Sequence, residues 1–479
     1  MKQITIIGAG PTGLAVLKTC LDAPETKTGA WNVSLYEQGS SLGGIWQPET
    51  LYDSLTTNLP HPLMAFDDWP FPPSTNLFPR APAVRAYLQS YANHFNLLPH
   101  IHFNAKVLDA RWDPPNSRWV ITTSTGNHKA DLLFVCNGHY HKARYPAING
   151  LDLWLGSPGL VSHSQDYLHP LPAHGSTPLV IGGGPSGQDI SNDLLDAPFI
   201  QQVINSASSP RTPHSNPRLV QKPRPTKFLS DFKTIIFQDG SRETVTHCIL
   251  ATGYEFDFPF FDESSTILTP SFPSRAAATS SKLYNTTYSV FPLWKHLLPF
   301  PATSQQPHDP PFPPGRLAFI ALLVRVIPWP LALSQTRMTL AAFRQPSDAD
   351  WAQGRAEVIR RWDDLASANP SDHDPRDVLK PWHRFEPVEQ FIYRDELDSL
   401  ADMLNGQDGP IGRRVKEWET TVYLQKDLLR RTWRFIEASG KADEWVEGVG
   451  EGGDDFEWVD LMYRVLRFGE EQERIGPTK

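Results

Sequence analysis

Two six-residue turns constrain this chain more than any other feature: Gly8-Ala9-Gly10-Pro11-Thr12-Gly13 and Gly182-Gly183-Gly184-Pro185-Ser186-Gly187. Each follows a short apolar run and opens a stretch with helical spacing. In such a turn the first glycine permits the tight strand-to-helix reversal. The second lets the backbone approach a pyrophosphate, and the third lets the helix pack close to the strand. The phosphates then lie at the positive end of the helix. One such turn alone is a weak signal. Two, each between an apolar strand and a helix, make chance the minor reading. The fold class expected is α/β, with two dinucleotide-binding, Rossmann-like domains.

Around the turns the pattern reads as follows. Residues 3–7 form a strand, and Leu14, Leu17 and Leu21 share one face of the helix after it. The next strand, 33–37, ends in Glu37. Residues 83–98 carry the spacing of an amphipathic helix through Val84, Leu88, Tyr91 and Phe95. A strand meander is expected over 106–112, 118–123 and 130–136, with turns at 114–117 and 126–127. Downstream, 178–181 and 203–204 read as strands and 206–225 as loop. Residues 234–237 and 247–251 are expected to pair as a hairpin across Asp239-Gly240. The apolar stretch 317–333 contains Arg325, Pro328 and Pro330, so buried strand and loop is expected there rather than a membrane span. Helices are expected over 348–366 and 412–438, and a solvated acidic tail at 454–457.

The two turns differ at the next strand end. Glu37 lies at the distance where an acid binds a pair of ribose hydroxyls and repels a 2′-phosphate, which suits FAD. After the second turn the strand ends in Asn205 and Ser206, with Ser208 and Arg211 beyond and no acid. A hydroxyl and a guanidinium suit the 2′-phosphate of NADPH, although Arg211 also reads as a solvated loop residue. Two dinucleotide sites imply hydride flow from nicotinamide to flavin. A disulfide reductase would need a cysteine pair beside the flavin. Only Cys20, Cys136 and Cys248 occur, far apart and in no metal-ligand spacing.

Composition narrows the remainder. The net charge is -9 over 479 residues, which argues against a nucleic-acid partner. Forty-five prolines, nearly twice the usual share of about 5%, predict stiff, extended loops. The chain enters an apolar strand directly after Met1, without a signal-peptide layout, so a cytoplasmic protein without a membrane anchor is expected. The pairs His100/His102 and His139/His141 lack further ligands nearby in sequence and are not read as a metal site.

Several segments resemble the flavin-containing monooxygenase family, and they occur in family order over roughly the first two-thirds of the chain. Gly43-Gly44-Ile45-Trp46 is similar to the stretch that follows the FAD turn. Tyr52-Asp53-Ser54-Leu55-Thr56-Thr57-Asn58 resembles the segment that brings an asparagine to the flavin. Residues 159–167 keep the glycine, His163 and Tyr167 of the family fingerprint, with Ser157 where the family has phenylalanine. Ala251-Thr252-Gly253-Tyr254 resembles the link back to the FAD domain, and Cys136-Asn137-Gly138-His139 is its looser counterpart. Residues 319–328, with Gln335, resemble a late family segment.

The resemblance implies an NADPH domain inserted in a larger FAD domain: 1–174 and 251–479 for FAD, 175–250 for NADPH. It implies cofactor contacts from Gly8, Gly10, Gly13, Glu37, Gly44, Trp46, Asn58, Gly182, Gly184, Gly187, Ser206, Arg211, Thr252 and Gly253. It also implies a catalytic role for Asn58, supporting a C4a-hydroperoxyflavin formed from O2. That species would transfer one oxygen to sulfur or nitrogen of a small molecule, such as a thiol, a thioether or a secondary-metabolite intermediate. A Baeyer–Villiger enzyme, an amine N-hydroxylase, and a non-catalytic redox-sensing flavoprotein stay open as alternatives. Tyr167-Leu168 stands where the Baeyer–Villiger fingerprint has Trp-Pro or Trp-Asp.

Overall fold

Runs such as Ile4-Thr5-Ile6-Ile7, Leu132-Leu133-Phe134-Val135 and His247-Cys248-Ile249-Leu250 are buried along their whole length. Strands covered on both faces read this way, and parallel sheets are their usual setting. The computed structural model describes residues 1–47, 55–207, 216–261, 267–302, 311–346, 350–368, 374–406, 414–453 and 455–475. The chain divides into two compact units. One comprises Met1–Gln47, Thr56–Gly138 and Phe256–Lys479; the other is built on His139–Glu255.

The first unit holds a five-stranded parallel sheet in the order Leu317–Phe319, Leu132–Val135, Lys2–Ile7, Trp31–Tyr36, Ile101–His102. Helices Pro11–Asp22 and Pro328–Arg344 pack together in this unit. An antiparallel meander of Val107–Asp113, Arg118–Thr123 and Gly126–Ala130 packs its apolar side chains with the sheet: Val107, Trp119 and Ile121 join one core with Ile7, Leu133, Val135 and Phe319. Helices then build the rest of this unit, among them Trp351–Ala368, Glu389–Leu404, Lys426–Ala438 and Phe456–Ile475.

The second unit repeats the plan. Its parallel sheet runs Leu219–Lys222, Val203–Ser206, Pro178–Ile181, His247–Leu250, Val161–His163. Helix Pro185–Asp196 buries Ile190, Leu194 and Leu195 with Val180, Val203 and Ile249. A separate core joins Leu179, Ile181, Ile204 and Leu250 to Phe228, Ile235 and Phe237 of a three-stranded antiparallel sheet. In both units the strand that follows the antiparallel sheet returns beside the first strand.

Several expectations change in detail. The third strand of the first meander is Gly126–Ala130, so residues 126–127 lie in a strand; Leu132–Val135 belongs to the parallel sheet. Asp131 marks the switch, its carboxylate accepting the Gln3 N–H at 2.8 Å. Thr234–Phe237 pairs across its turn with Arg242–Thr244, while His247–Leu250 joins the parallel sheet. Within 206–225, read as loop, Leu219–Lys222 extends that sheet and Pro225 opens a further strand. Pro328 and Pro330 do not break structure. They sit in the first turn of helix Pro328–Arg344, where a proline's missing N–H costs nothing. Glu457 belongs to the first turn of helix Phe456–Ile475 and accepts the Gly450 N–H at 2.6 Å, so it is no free tail. Among the described residues no helix is long and apolar enough to cross a membrane.

Candidate functional site

Both glycine turns open on the same hydrogen-bond skeleton. In the first unit the Gly8 N–H donates to the Tyr36 carbonyl, Cys136 N–H to Ile7, and Glu37 N–H to His102. In the second, Gly182 N–H donates to Ser206, Ala251 N–H to Ile181, and Ala207 N–H to Lys222. Each bond of one set has its counterpart in the other. Tyr36 therefore corresponds to Ser206, and Glu37 to Ala207.

The glycines sort by what a side chain would meet. At Gly8, where φ is +101°, a Cβ would lie 2.7 Å from the Cys136 carbonyl oxygen; at Gly13 it would lie 1.9 Å from that of Gly8. At Gly182 and Gly187 the corresponding distances are 2.1 Å to Ala251 and 2.2 Å to Gly182. These four positions exclude a side chain on internal grounds. The middle glycines differ. Among the described residues a Cβ on Gly10 would touch only Gly44 Cα, at 3.7 Å, and one on Gly184 would meet nothing within 4 Å. Both have ordinary extended backbone and cap a twelve-residue helix. Among the described residues nothing demands glycine there. Open space at the helix N-terminus fits a group approaching from outside, as a pyrophosphate does.

Glu37 is 7% exposed. Its two oxygens accept the Ala9 and Gly39 N–H groups, each at 2.7 Å, which anchors the turn and leaves a second lone pair on each oxygen. The short turn Gly44–Trp46 closes against Gly10: the Gly43 N–H donates to the Ala9 carbonyl, and a Cβ on Gly44 would lie 3.0 Å from Gly10 Cα. Trp46 is buried. This turn also packs on helix Ala81–His94. Arg80, the residue before that helix, bridges to Thr56. Asn58 follows, exposed between buried Thr57 and Leu59. The first unit thus brings Gly8, Gly10, Gly13, Glu37, Gly44 and Trp46 together, with Asn58 on a neighbouring segment. Residues 52–54 of the same sequence motif lie outside the described residues.

In the second unit Ser206 is 1% exposed, and its hydroxyl donates to the Pro223 carbonyl at 2.7 Å. As the counterpart of Tyr36 it is the last residue of its strand, one position before the counterpart of Glu37. Buried Asn205 uses its amide to hold the Gly182 carbonyl at 3.2 Å and the Ser191 hydroxyl at 3.1 Å, bracing the turn against its helix. Ser208 and Arg211 lie outside the described residues. The position that distinguishes the two strand ends is Ala207, which the sequence reading passed over. Matching hydrogen bonds, not spacing, reveal it.

Thr252 and Gly253 form a knot with two other segments of this unit. The Thr252 hydroxyl donates to the Arg144 carbonyl at 2.6 Å. The Gly253 carbonyl accepts the Arg144 N–H at 3.0 Å and His163 Nε2 at 3.2 Å. His163 Nδ1 in turn accepts the Gln165 N–H at 3.1 Å. Those two bonds set a neutral imidazole with the proton on Nε2. Burial also holds its pKa below the usual histidine value. His163 is therefore a tie between the fingerprint loop and residues 252–253.

Residues 1–211 match the model of the flavin-binding monooxygenase-like family. The thiol-specific monooxygenase of Saccharomyces cerevisiae is 29% identical over 360 residues, covering 71% of this chain and 77% of that protein. The flavin-containing monooxygenase FMO GS-OX4 of Arabidopsis thaliana is 28% identical over 364 residues, covering 67% and 69%. Among solved structures, S-allyl-L-cysteine S-oxygenase from Allium sativum superposes with a TM-score of 0.71 at 23% identity, over 98% of this chain and 99% of that one. Tmm from a Pelagibacter strain does so at 0.64 and 20%, over 90% of each. These two share the fold, with its paired parallel sheets. With two glycine cradles of matching build, the chain is similar over residues 1–211 to the flavin-binding monooxygenase-like family.

Proposed function

We propose that the chain is an NADPH-dependent monooxygenase that places one oxygen atom of O2 on sulfur or nitrogen of a small molecule. The family's cofactors are FAD and NADPH. The observation that carries the reading is the pair of open middle glycines, Gly10 and Gly184, each at the N-terminus of a helix whose neighbouring glycines are sterically required. Gly8, Gly10, Gly13, Glu37, Gly44 and Trp46 would hold FAD. Glu37 suits the ribose hydroxyls through its remaining lone pairs.

Gly182, Gly184 and Gly187 would hold NADPH. Ala207, in the place of Glu37, removes the acid that would repel a 2′-phosphate. Arg211 is the proposed cation for that phosphate, with Ser206 as backbone support, its hydroxyl being directed to Pro223. Thr252 and Gly253 would lie along the same cofactor. The NADPH-binding segment expected over 175–250 lies within the second compact unit, built on His139–Glu255.

Bound FAD supplies the two-electron store and the reactive oxygen; NADPH supplies the electrons, and the second oxygen atom leaves as water. The chain's own task is to bind, orient and exclude water. Asn58 contributes an amide N–H that supports the oxygen being transferred without offering an acidic proton. No base on the substrate is needed for this chemistry. Sulfur is favoured over carbonyl or amine chemistry by the thiol-specific relative and by the S-oxygenase of the same fold.

The test is Asn58→Leu, which keeps volume and removes the donor. NADPH use, hydrogen peroxide and oxygenated product are measured together with a thiol or thioether. Flavin reduction should persist, product should fall by about 10²–10³ and peroxide should rise. Unchanged product yield rejects the role of Asn58. No oxygenated product from the unaltered enzyme with any thiol, thioether or amine rejects the reaction class.

A further inference from the structure

The helices beyond residue 414 carry none of the sequence motifs, yet they grip the loop that bears Asn58. The side chain of Trp433, on helix Lys426–Ala438, is fully buried. Its indole N–H donates to Asn76 Oδ1 at 3.0 Å, across 357 residues of chain. Asn76 Oδ1 also accepts the Phe78 N–H at 3.0 Å, and Asn76 Nδ2 donates to Glu437 Oε1 at 2.9 Å. One side chain thus joins two residues of this helix to the start of the segment 76–80.

That segment runs alongside residues 56–61. The His61 N–H donates to the Leu77 carbonyl at 2.9 Å and the Thr57 N–H to Pro79 at 3.1 Å, while Thr56 bridges Arg80. Asn58 lies between these anchors, so the position of 56–61 follows that of 76–80.

A second grip lies one turn away. The Ser74 N–H donates to the Val449 carbonyl at 2.9 Å, and the Gly448 N–H to the Ser74 hydroxyl at 3.2 Å. Trp458, on helix Phe456–Ile475, sets its ring edge against His61 with centroids 4.2 Å apart. His61 also meets Phe71, with centroids 4.8 Å apart. Glu457, next to Trp458, caps the 448–453 turn through the Gly450 N–H. Helix, turn and helix therefore hold both ends of the 56–80 excursion.

We propose that this C-terminal assembly is positioning machinery for Asn58, with Trp433 and Asn76 its central pair. The chain does not carry these helices merely as packing: they set where the exposed amide of Asn58 stands, and so how completely reduced flavin delivers oxygen to substrate rather than losing it as peroxide. The proposal rests on the role of Asn58 given above.

The test compares Asn76→Ala and Trp433→Phe with Arg431→Ala, which removes an exposed ion pair between helix Lys426–Ala438 and Glu473 of helix Phe456–Ile475. Amide hydrogen exchange of peptides spanning 56–61 is read first, in the folded full-length protein. Each lost hydrogen bond should speed exchange roughly five-fold, and Asn76→Ala loses three. Arg431→Ala should leave these peptides unchanged. Peroxide per NADPH should rise in both loop variants while the rate of flavin reduction holds. If Asn76→Ala does not fold, Trp433→Phe gives the same readouts. Unchanged exchange at 56–61 overturns the proposal. So does faster exchange without extra peroxide where Asn58→Leu itself releases peroxide. Faster exchange with no peroxide from any of the three variants, Asn58→Leu included, rejects the role of Asn58 and the functional half of the proposal with it.

Discussion

A methyl group on Gly10 separates the cofactor's requirement for glycine from the fold's. Gly10 has φ -70° and ψ 176°, values open to any residue, and its Cβ would touch only Gly44 Cα at 3.7 Å. Alanine at a helix N-cap costs about 0.5–1 kcal/mol against glycine. The stiffer unfolded chain returns about 0.4–1 kcal/mol. These nearly cancel, so cofactor-free Gly10→Ala should match the unaltered protein within about 1 kcal/mol. Gly13→Ala is the contrast. Its methyl would stand 1.9 Å from the Gly8 carbonyl oxygen, an overlap that forces backbone to move and costs about 1–3 kcal/mol or more. For FAD the order reverses. A methyl at Gly10 occupies the approach to the helix N-terminus and removes one or two charge-assisted hydrogen bonds to phosphate. At about 1.5–3 kcal/mol each, affinity falls roughly ten- to a hundred-fold per bond. The assay has two arms: flavin-to-protein absorbance ratio with FAD titration of the stripped protein, and thermal unfolding without cofactor. A yellow, stoichiometrically loaded Gly10→Ala refutes the cradle. Loss of cofactor-free stability as large as that of Gly13→Ala refutes the claim that glycine there serves a ligand.

The same substitution at the second turn should act on the other cofactor: Gly184→Ala, with nothing within 4 Å of its new methyl, should retain FAD while the NADPH concentration for half-maximal flavin reduction rises at least ten-fold. Equal loss of FAD in that variant would refute the assignment. Acid should weaken the fold through buried histidines. Burial pushes His61 down to about 3 and holds His296 well below the usual value, with its Nδ1 3.0 Å from that of buried His383. Their folded pKa values lie below the unfolded value of about 6.5, so the unfolded state binds protons that the native state refuses. Stability is therefore complete above about pH 6.5 and falls as pH drops toward 3, at about 1.4 kcal/mol per pH unit for each such histidine. Urea unfolding of His61→Leu between pH 7 and 4 should show a limb shallower by about one proton; an unchanged slope would exclude His61 as a contributor.

Local sterics made much of this protein legible. Gly8, Gly13, Gly182 and Gly187 are glycine because a neighbouring carbonyl lies within 2.7 Å of any Cβ, and that demand is written into spacing. Fully apolar runs likewise announced the parallel strands. Pairing was not legible where two partners suited one run. Leu132–Val135 carries the same apolar pattern whether it ends a meander or enters the central sheet, and only the Asp131 carboxylate on the Gln3 N–H marks the switch. Thr234–Phe237 faced the same ambiguity, and the nearer, more polar Arg242–Thr244 took the hairpin. Contacts that close long loops left no pattern at all: nothing near Asn76 in sequence points to Trp433.

On the proposed assignment, the two strand ends differ by one residue in how they would meet their cofactors. Glu37 and Ala207 occupy the same place, each donating its N–H to the next strand, His102 in one unit and Lys222 in the other. Leu35 and Asn205 likewise hold one position and solve the same problem by different means. Leu35 meets the close-packed Gly13 with an apolar side chain, its Cδ1 3.5 Å from where a Cβ would stand, while Asn205 ties Gly182 to Ser191 with hydrogen bonds. Under the proposed assignment a charge is kept where it would serve both the turn and a ribose, and dropped where it would face a phosphate. On this argument Ala207→Glu should be the most economical way to turn the second site against NADPH. The Ala207 N–H bond to Lys222 matches that of Glu37 to His102, and the added carboxylate would confront a 2′-phosphate but not a free ribose. The variant should lose NADPH-driven flavin reduction at least ten-fold relative to NADH-driven reduction. Equal use of both nucleotides before and after the change would show that the strand end does not read the phosphate.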